Sequence, residues 1–341
     1  MKLKLALEVL GFVALAALVA VLPRIIGDFT AYEFAIVGMY FIALLGLAIL
    51  TGYSGQISLG HGAFMAIGGY TTAILSVDGV YGHDLRIVWT IPIAGVVAGL
   101  AGLLVGIPAL RLSGLYLALI TFGIAVSFPQ LPKKWDHFLG GTTGKVLDDA
   151  LTVPFGLETS TNNWLYYLTW GIALVLLAVA WALLRGKPGR ALQAIRDSEV
   201  AAASSGVNLA RYKTFAFGIS AFYAGVAGSL YAISKAYMNP DIFPIVLSLY
   251  LVAALAVGGL GSLVGLIAGA ALIYVLQNRA DDVTRWLNHL PALDLDPKQP
   301  GMPSVVFGVV LVLVMLVLPT GAGGLLRRLF GPLTSRLYSR S

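Results

Sequence analysis

The stretch Gly140-Gly141-Thr142-Thr143-Gly144-Lys145-Val146 comes closest to a phosphate-handling motif in this sequence. Glycines ahead of a lysine suggest a loop whose backbone N–H groups cradle an anion. The spacing refuses it. Such a loop needs glycine five residues before Gly144, where Leu139 stands, and Ser or Thr after the lysine, where Val146 stands. The four histidines, His61, His83, His137 and His289, include no pair at helical metal-ligand spacing. No Gly-x-Ser-x-Gly elbow occurs. The residues therefore predict no catalytic site, no metal site and no cofactor, and so no enzyme. The chain has no cysteine, which excludes disulfides.

Two groupings remain that could act. Ser54, Gln56, Ser58 and His61 collect beside Gly52-Tyr53-Ser54-Gly55-Gln56, between two apolar runs. Polar groups there suit the border of a solute path. For His61 the preferred reading is plainer, a histidine that hydrogen-bonds neighbouring backbone and holds a kink. The second grouping is Gly189 to Asn208. Ala191, Ala194 and Ile195 fall on one helical face, as do Ala202 and Ala203 after Glu199. Gly206 then makes a helix stop. Two short helices with small faces suit close docking into a partner's groove better than they suit solvation.

The elements that carry these groups are set by composition. Of 341 residues, 58% are hydrophobic and 11% charged, against about 25% charged in soluble domains. Leu5–Leu22 holds one charge, Glu8; Phe34–Leu50, Val88–Leu110, Leu112–Leu131, Trp164–Leu184, Thr214–Ser234 and Val305–Pro319 hold none. Each approaches the roughly 20 apolar residues that cross a bilayer as helix. The expected fold is all-α, a polytopic transmembrane helix bundle of about 8–10 membrane segments, some interrupted by glycine, in two repeat-like halves. The start, Met1-Lys2-Leu3-Lys4, imitates a signal peptide, but the apolar run to Leu22 reads as a retained first span.

Basic residues set the orientation. Arg185, Lys187, Arg190, Arg196, Arg211 and Lys213 crowd the loop 185–213, and Arg327, Arg328, Arg336 and Arg340 the tail, so both are expected in the cytoplasm. This rule, rather than nucleic-acid binding, accounts for the net charge of +6. The segments Leu131–Asn163 and Asn278–Met302 are balanced or acidic and are expected outside. That parity fails if Ile245–Gln277 is one helix. Gly258-Gly259-Leu260-Gly261-Ser262 lies mid-run and predicts a split into two short segments. Paired glycine breaks in the two halves mark a translocation path, with Ser54, Gly55, Gln56, Ser58, His61, Gly258, Gly259, Gly261 and Ser262 as its candidate residues. Gly95, Gly99, Gly102 and Gly106 are read instead as close helix packing.

Taken together, these stretches resemble a known family. Gly52-Tyr53-Ser54-Gly55-Gln56-Ile57-Ser58-Leu59-Gly60-His61-Gly62-Ala63-Phe64 is similar to the signature of the membrane subunits of branched-chain amino-acid ABC transporters. The loop Gly189–Lys213 resembles their ATPase-coupling region, with Glu199, Ala202 and Gly206 on its pattern. Gly258–Ser262 resembles the late glycine motif, and Gly140–Gly144 an outside loop. Arg111-Leu112-Ser113-Gly114-Leu115-Tyr116 and the longer outside loop fit the LivM type better than the LivH type. The resemblance implies a single permease domain over 1–341 in a bacterial or archaeal plasma or inner membrane. Its coupling loop, 185–213, would present Arg190, Ala194, Arg196, Asp197, Glu199, Ala202, Ala203 and Gly206. It further implies two ABC ATPase subunits, a LivH-type second permease, and a periplasmic or lipid-anchored substrate-binding protein, with lipid around it and no nucleic acid. Lys145–Asn163, Leu266 and Lys235 depart from the family pattern and leave the substrate open between branched-chain amino acids and urea or short amides. From another class, a self-sufficient secondary transporter would place acids within the spans, and a passive channel would need no coupling loop.

Overall fold

A computed structural model describes residues 2–77, 87–109, 112, 114–147, 152–153 and 159–279, with 285, 305, 308–309, 312, 316 and 321–324. Side chains are described from Gly11 on, apart from 109, 137 and 138. Outside the described residues lie Arg111 and Ser113, most of Val305–Pro319, the arginine tail, His83 and His289. The acids Asp148, Asp149, Glu158, Asp281, Asp282, Asp294 and Asp296 lie there too.

Apolar runs become helices because a backbone away from water must satisfy its own polar groups. In chain order these are α1 (Lys2–Val21), α2 (Asp28–Leu47), α3 (His61–Val77), α4 (Ile87–Ala109) and α5 (Leu115–Ser127). Two short helices follow, α6 (Gln130–Lys134) and α7 (Asp136–Leu139), then α8 (Thr161–Arg185), α9 (Lys187–Asp197) and α10 (Glu199–Ser204). The last three are α11 (Leu209–Lys235), α12 (Ile245–Gly258) and α13 (Leu266–Asn278). Among the described residues, six segments are long and apolar enough to cross a membrane: Asp28–Tyr53, Ile87–Pro108, Leu115–Lys134, Thr161–Arg185, Leu209–Lys235 and Pro240–Gly258. The chain is an all-α polytopic bundle. Among the described residues, β structure is confined to β1 (Lys145–Val146), paired antiparallel with β2 (Tyr237–Met238).

Both glycine breaks are present. α2 passes into a π-helical turn, Ala48–Tyr53, and then into non-helical chain to Gly60. The apolar run beyond this break is helical only from His61, because Gly55 adopts φ +72° and the next residues spend their hydrogen bonds on the turn. The run Ile245–Gln277 splits at Gly259, φ +95°, into α12 and α13.

α2 and α11 form the centre. Every residue from Ala35 to Leu50, in α2 and the start of the π-helical turn, is buried, as befits a helix apolar all round. α4 and α5 lie outside and expose Trp89, Leu100, Leu104, Leu115 and Tyr116, a surface suited to hydrocarbon. α4 meets α11 along the glycines read as packing contacts. A Cβ at Gly95 would stand 2.7 Å from Val226, one at Gly102 2.8 Å from the Phe217 carbonyl oxygen, and one at Gly106 3.1 Å from Phe217. Helices in lipid gain their attraction from this close approach.

The bundle has two distinct ends. One carries β1 and β2, the Lys133–Asp241 ion pair at 3.4 Å, and the Glu33–Arg279 pair. The other carries α9, α10 and both glycine turns. Gly321 and Gly323 pack against the second of these turns. The chain thus leaves Arg279 at the strand end and reaches Gly321 at the loop end.

Candidate functional site

The first turn is held by its own polar side chains. The Ser54 hydroxyl donates to the Leu50 carbonyl at 2.6 Å, and Gln56 Nε2 donates to Ser54 Oγ at 2.7 Å. Thr51 donates to the Gln56 carbonyl at 3.0 Å, and Ser58 Oγ accepts from the Gly60 N–H at 3.3 Å. Ser54, Gln56, Ser58 and His61 are all buried. His61 Nε2 lies 2.9 Å from the Ala43 carbonyl oxygen across the kink and donates to it; its Nδ1 has no partner among the described residues. These groups therefore spend themselves on broken backbone, which cannot go unpaired away from water.

Two residues that the sequence reading passed over complete the start of α3. Thr121 Oγ1, on α5, accepts from the Leu59 N–H at 2.9 Å, and Ser248 Oγ, on α12, accepts from the Gly62 N–H at 3.0 Å. Both satisfy donors that a helix start leaves unpaired. Each is a lone hydroxyl in an apolar run, and only that oddity could have flagged it.

The candidate docking loop is built tightly. Ser198 caps α10 by accepting from the Ala201 N–H, and Asn208 caps α11 by accepting from the Arg211 N–H. Gly206, φ +82°, closes α10: its N–H donates to Ala203 O, and the Val207 N–H donates to Ala202 O, both at 3.0 Å. This paired arrangement is a Schellman stop. Ala191, Ile195 and Ala202 are buried against the chain itself and Ala194 half-buried, whereas Val200, Ala203 and Arg190 are exposed. The outward face of α10 is therefore Val200 and Ala203, not Ala202. Glu199, expected to face a partner, pairs with Lys213 at 2.7 Å; that lysine is 6% exposed and Glu199 45%. Asp197 pairs with Arg196 at 3.2 Å.

The two breaks and the loop converge. Arg196 Nη1 donates to the Gly52 carbonyl at 2.9 Å. A Cβ at Gly55 would lie 2.9 Å from Arg196 Cγ, and one at Gly52 2.7 Å from the Leu260 carbonyl oxygen. In the second turn, Ser262 N–H donates to Gly259 O at 3.1 Å and Ser262 Oγ accepts from Gly265 N–H at 3.1 Å. Gly258 is buried and Gly261 exposed. No such assembly is formed by Gly140–Gly144: its glycines take φ of +81°, +58° and +74°, and Gly144 N–H returns to Gly140 O at 2.9 Å. That loop feeds β1. Among the described residues no cluster of His, Cys, Asp or Glu is arranged to hold a metal.

A family model for the permease component of branched-chain amino acid transport systems matches residues 30–315. Over 301 residues the chain is 34% identical to the high-affinity branched-chain amino acid transport system permease protein LivM of Escherichia coli K12, covering 81% of this chain and 69% of that protein. The chain belongs to the branched-chain amino-acid transport permease family. This permease is also 34% identical over 272 residues to LivM of Salmonella typhimurium, covering 73% of itself and 63% of that relative. It is 25% identical over 322 residues to a probable LivM of Methanocaldococcus jannaschii, covering 83% and 90% of the two chains. No solved structure matches it. The family match runs through both glycine turns and α9–α10, so the converging contacts lie inside the shared region.

Proposed function

We propose that this permease is one membrane subunit of an ABC importer for branched-chain amino acids, a single domain that supplies half of the path and no ATP chemistry. In this reading α9 and α10 face the cytoplasm and dock an ATPase; a LivH-type permease stands beside the chain, and a binding protein delivers substrate at the strand end. The observation that carries it is the seating of α9 on the first glycine turn through Arg196, Gly52 and Gly55. A docking loop joined only to its own helices would have no route to the path. The relatives' names support the substrate class. The described spans carry few acids of the kind that couple ion-driven carriers, with Glu33 paired to Arg279 at the strand end.

The test is purification of the tagged chain with its co-expressed partners, followed by reconstitution. ATP-dependent uptake of leucine, isoleucine or valine, but not urea, is expected. Uptake by the chain alone, driven by an ion gradient, would overturn the importer reading; urea uptake would move the substrate to the short amides.

A further inference from the structure

Arg196 sits in the last turn of α9, and its side chain, 43% exposed, reaches back to the first glycine turn. Nη1 donates to Gly52 O at 2.9 Å, while Nε and Nη2 hold Asp197 Oδ1 at 3.3 and 3.2 Å. The planar fork lets one guanidinium hold a carbonyl and a carboxylate in fixed directions, which the rotatable ammonium of a lysine holds less rigidly. Gly52 lies in the π-helical end of α2, where carbonyls lack helical partners and the dipole favours a cation. A second contact is independent of that hydrogen bond. At Gly55 a Cβ would stand 2.9 Å from Arg196 Cγ and 3.4 Å from its Cα and Cβ.

The line of contact continues past the first turn. Gly52 abuts the Leu260 backbone, with only 2.7 Å between a would-be Cβ and the carbonyl oxygen. Leu260 belongs to the second turn, and Gly323 rests on that turn's Ser262. At Gly52, therefore, the first turn meets backbone of the second, and Gly323 meets the Ser262 side chain. At that point no rotamer change can absorb a displacement, and close-packed interiors transmit strain rather than dissipate it.

We propose that Arg196 is a positioning residue, a strut that ties α9 to the first glycine turn so that movement of α9 shifts both turns together. The proposal rests on the reading of α9–α10 as the ATPase-docking loop. It differs from that reading in turning Arg196 inward: the side chain serves the path and not the motor. Asp197 steadies the guanidinium, and the missing side chains of Gly52 and Gly55 make the contact stiff.

The absence of cysteine from the chain gives a clean reporter. Leu260 is 50% exposed, so Leu260→Cys offers one thiol to a water-soluble maleimide. Labelling is timed in the complete reconstituted complex, without nucleotide and after trapping with ATP and vanadate. With Arg196 in place, the two rates are expected to differ by at least about fivefold. In Arg196→Ala the difference is expected to vanish, with Arg196→Lys intermediate, while the ATPase co-purifies in equal amount throughout. A nucleotide-dependent change of the same size in Arg196→Ala, or none in the Arg196 parent, would overturn the strut. So would loss of ATPase from Arg196→Ala, which would make the residue a docking contact. Absence of any ATPase from the parent removes the importer reading itself, and the strut with it. If Arg196→Ala does not reach the membrane, Gly52→Ala is read in the same way: its methyl wedges the turns apart and is expected to change the labelling ratio, and an unchanged ratio overturns the proposal.

Discussion

At the scale of single residues, the docking loop separates into an inward and an outward set. Glu199 neutralises a lysine that is almost wholly buried; a hydrogen bond to a charged group contributes about 1.5–3 kcal/mol, and stranding a buried charge adds to its loss. Glu199→Lys is therefore expected to loosen α10 from α11, seen as faster proteolysis within residues 198–208 and less co-purified ATPase. Glu199→Gln, which keeps an acceptor for Lys213 but not the charge, is expected to fall between the parent and Glu199→Lys. Val200, 78% exposed, acts on the other side: Val200→Asp is expected to cut ATPase recovery several-fold with proteolysis unchanged. Normal recovery with Val200→Asp would mean that the partner grips elsewhere. The sequence displayed Glu199 as an acid offered outward because nothing local links it to Lys213. Val200 passed unnoticed as one apolar residue among acids and alanines, and only burial separates it from Ala202.

At the scale of elements, the glycine turns decide behaviour. Gly55 and Gly206 share left-handed backbone, φ +72° and +82°, yet only Gly55 has a neighbour in the way. Left-handed backbone costs a residue with a Cβ about 1–2 kcal/mol, and overpacking adds about 1–3 kcal/mol. Gly55→Val is expected to lower ATP-driven uptake at least about tenfold, and Gly55→Ala to harm uptake more than Gly206→Ala does. Equal effects would show that strain alone matters and that the contact with α9 does not. The breaks themselves were legible, because glycine clusters interrupt otherwise clean apolar runs. That the breaks touch each other was not, since Gly52 and Leu260 are joined by no repeat, motif or periodicity. The polar residues of the first turn were legible as a group, but their use was not. Ser54, Gln56 and Ser58 could line a path or mend a backbone with the same composition; in the structure Ser54 and Ser58 bond backbone, and Gln56 bonds Ser54.

At the scale of the molecule, α4 and α11 are fastened by a stripe of small residues, and the outer face of α5 is exposed among the described residues. Gly102→Val drives a side chain onto Phe217 and Ala221, whereas Gly123→Val, on α5, meets none of the described residues. Thermal unfolding in detergent should separate them: a clear drop in midpoint for Gly102→Val, from about 1–3 kcal/mol of overpacking, and little change for Gly123→Val. Matching midpoints would argue that α4 packs elsewhere. Spans and fold class were readable from composition alone, because hydrocarbon selects clean apolar runs. Which spans stand at the centre was not, since α2 and α4 look equally apolar.

The central position of α2 has a consequence for biogenesis. Tyr40, in its buried stretch, donates to Gln277 Oε1 at 2.6 Å, a partner 237 residues further along the chain. Ribosomes add about 5–20 residues per second, so the phenol waits on the order of 10–50 s before its acceptor has been made. During that interval a segment enclosed in the finished protein is among the most naked of the nascent one, and the insertion machinery or other early helices must shelter it.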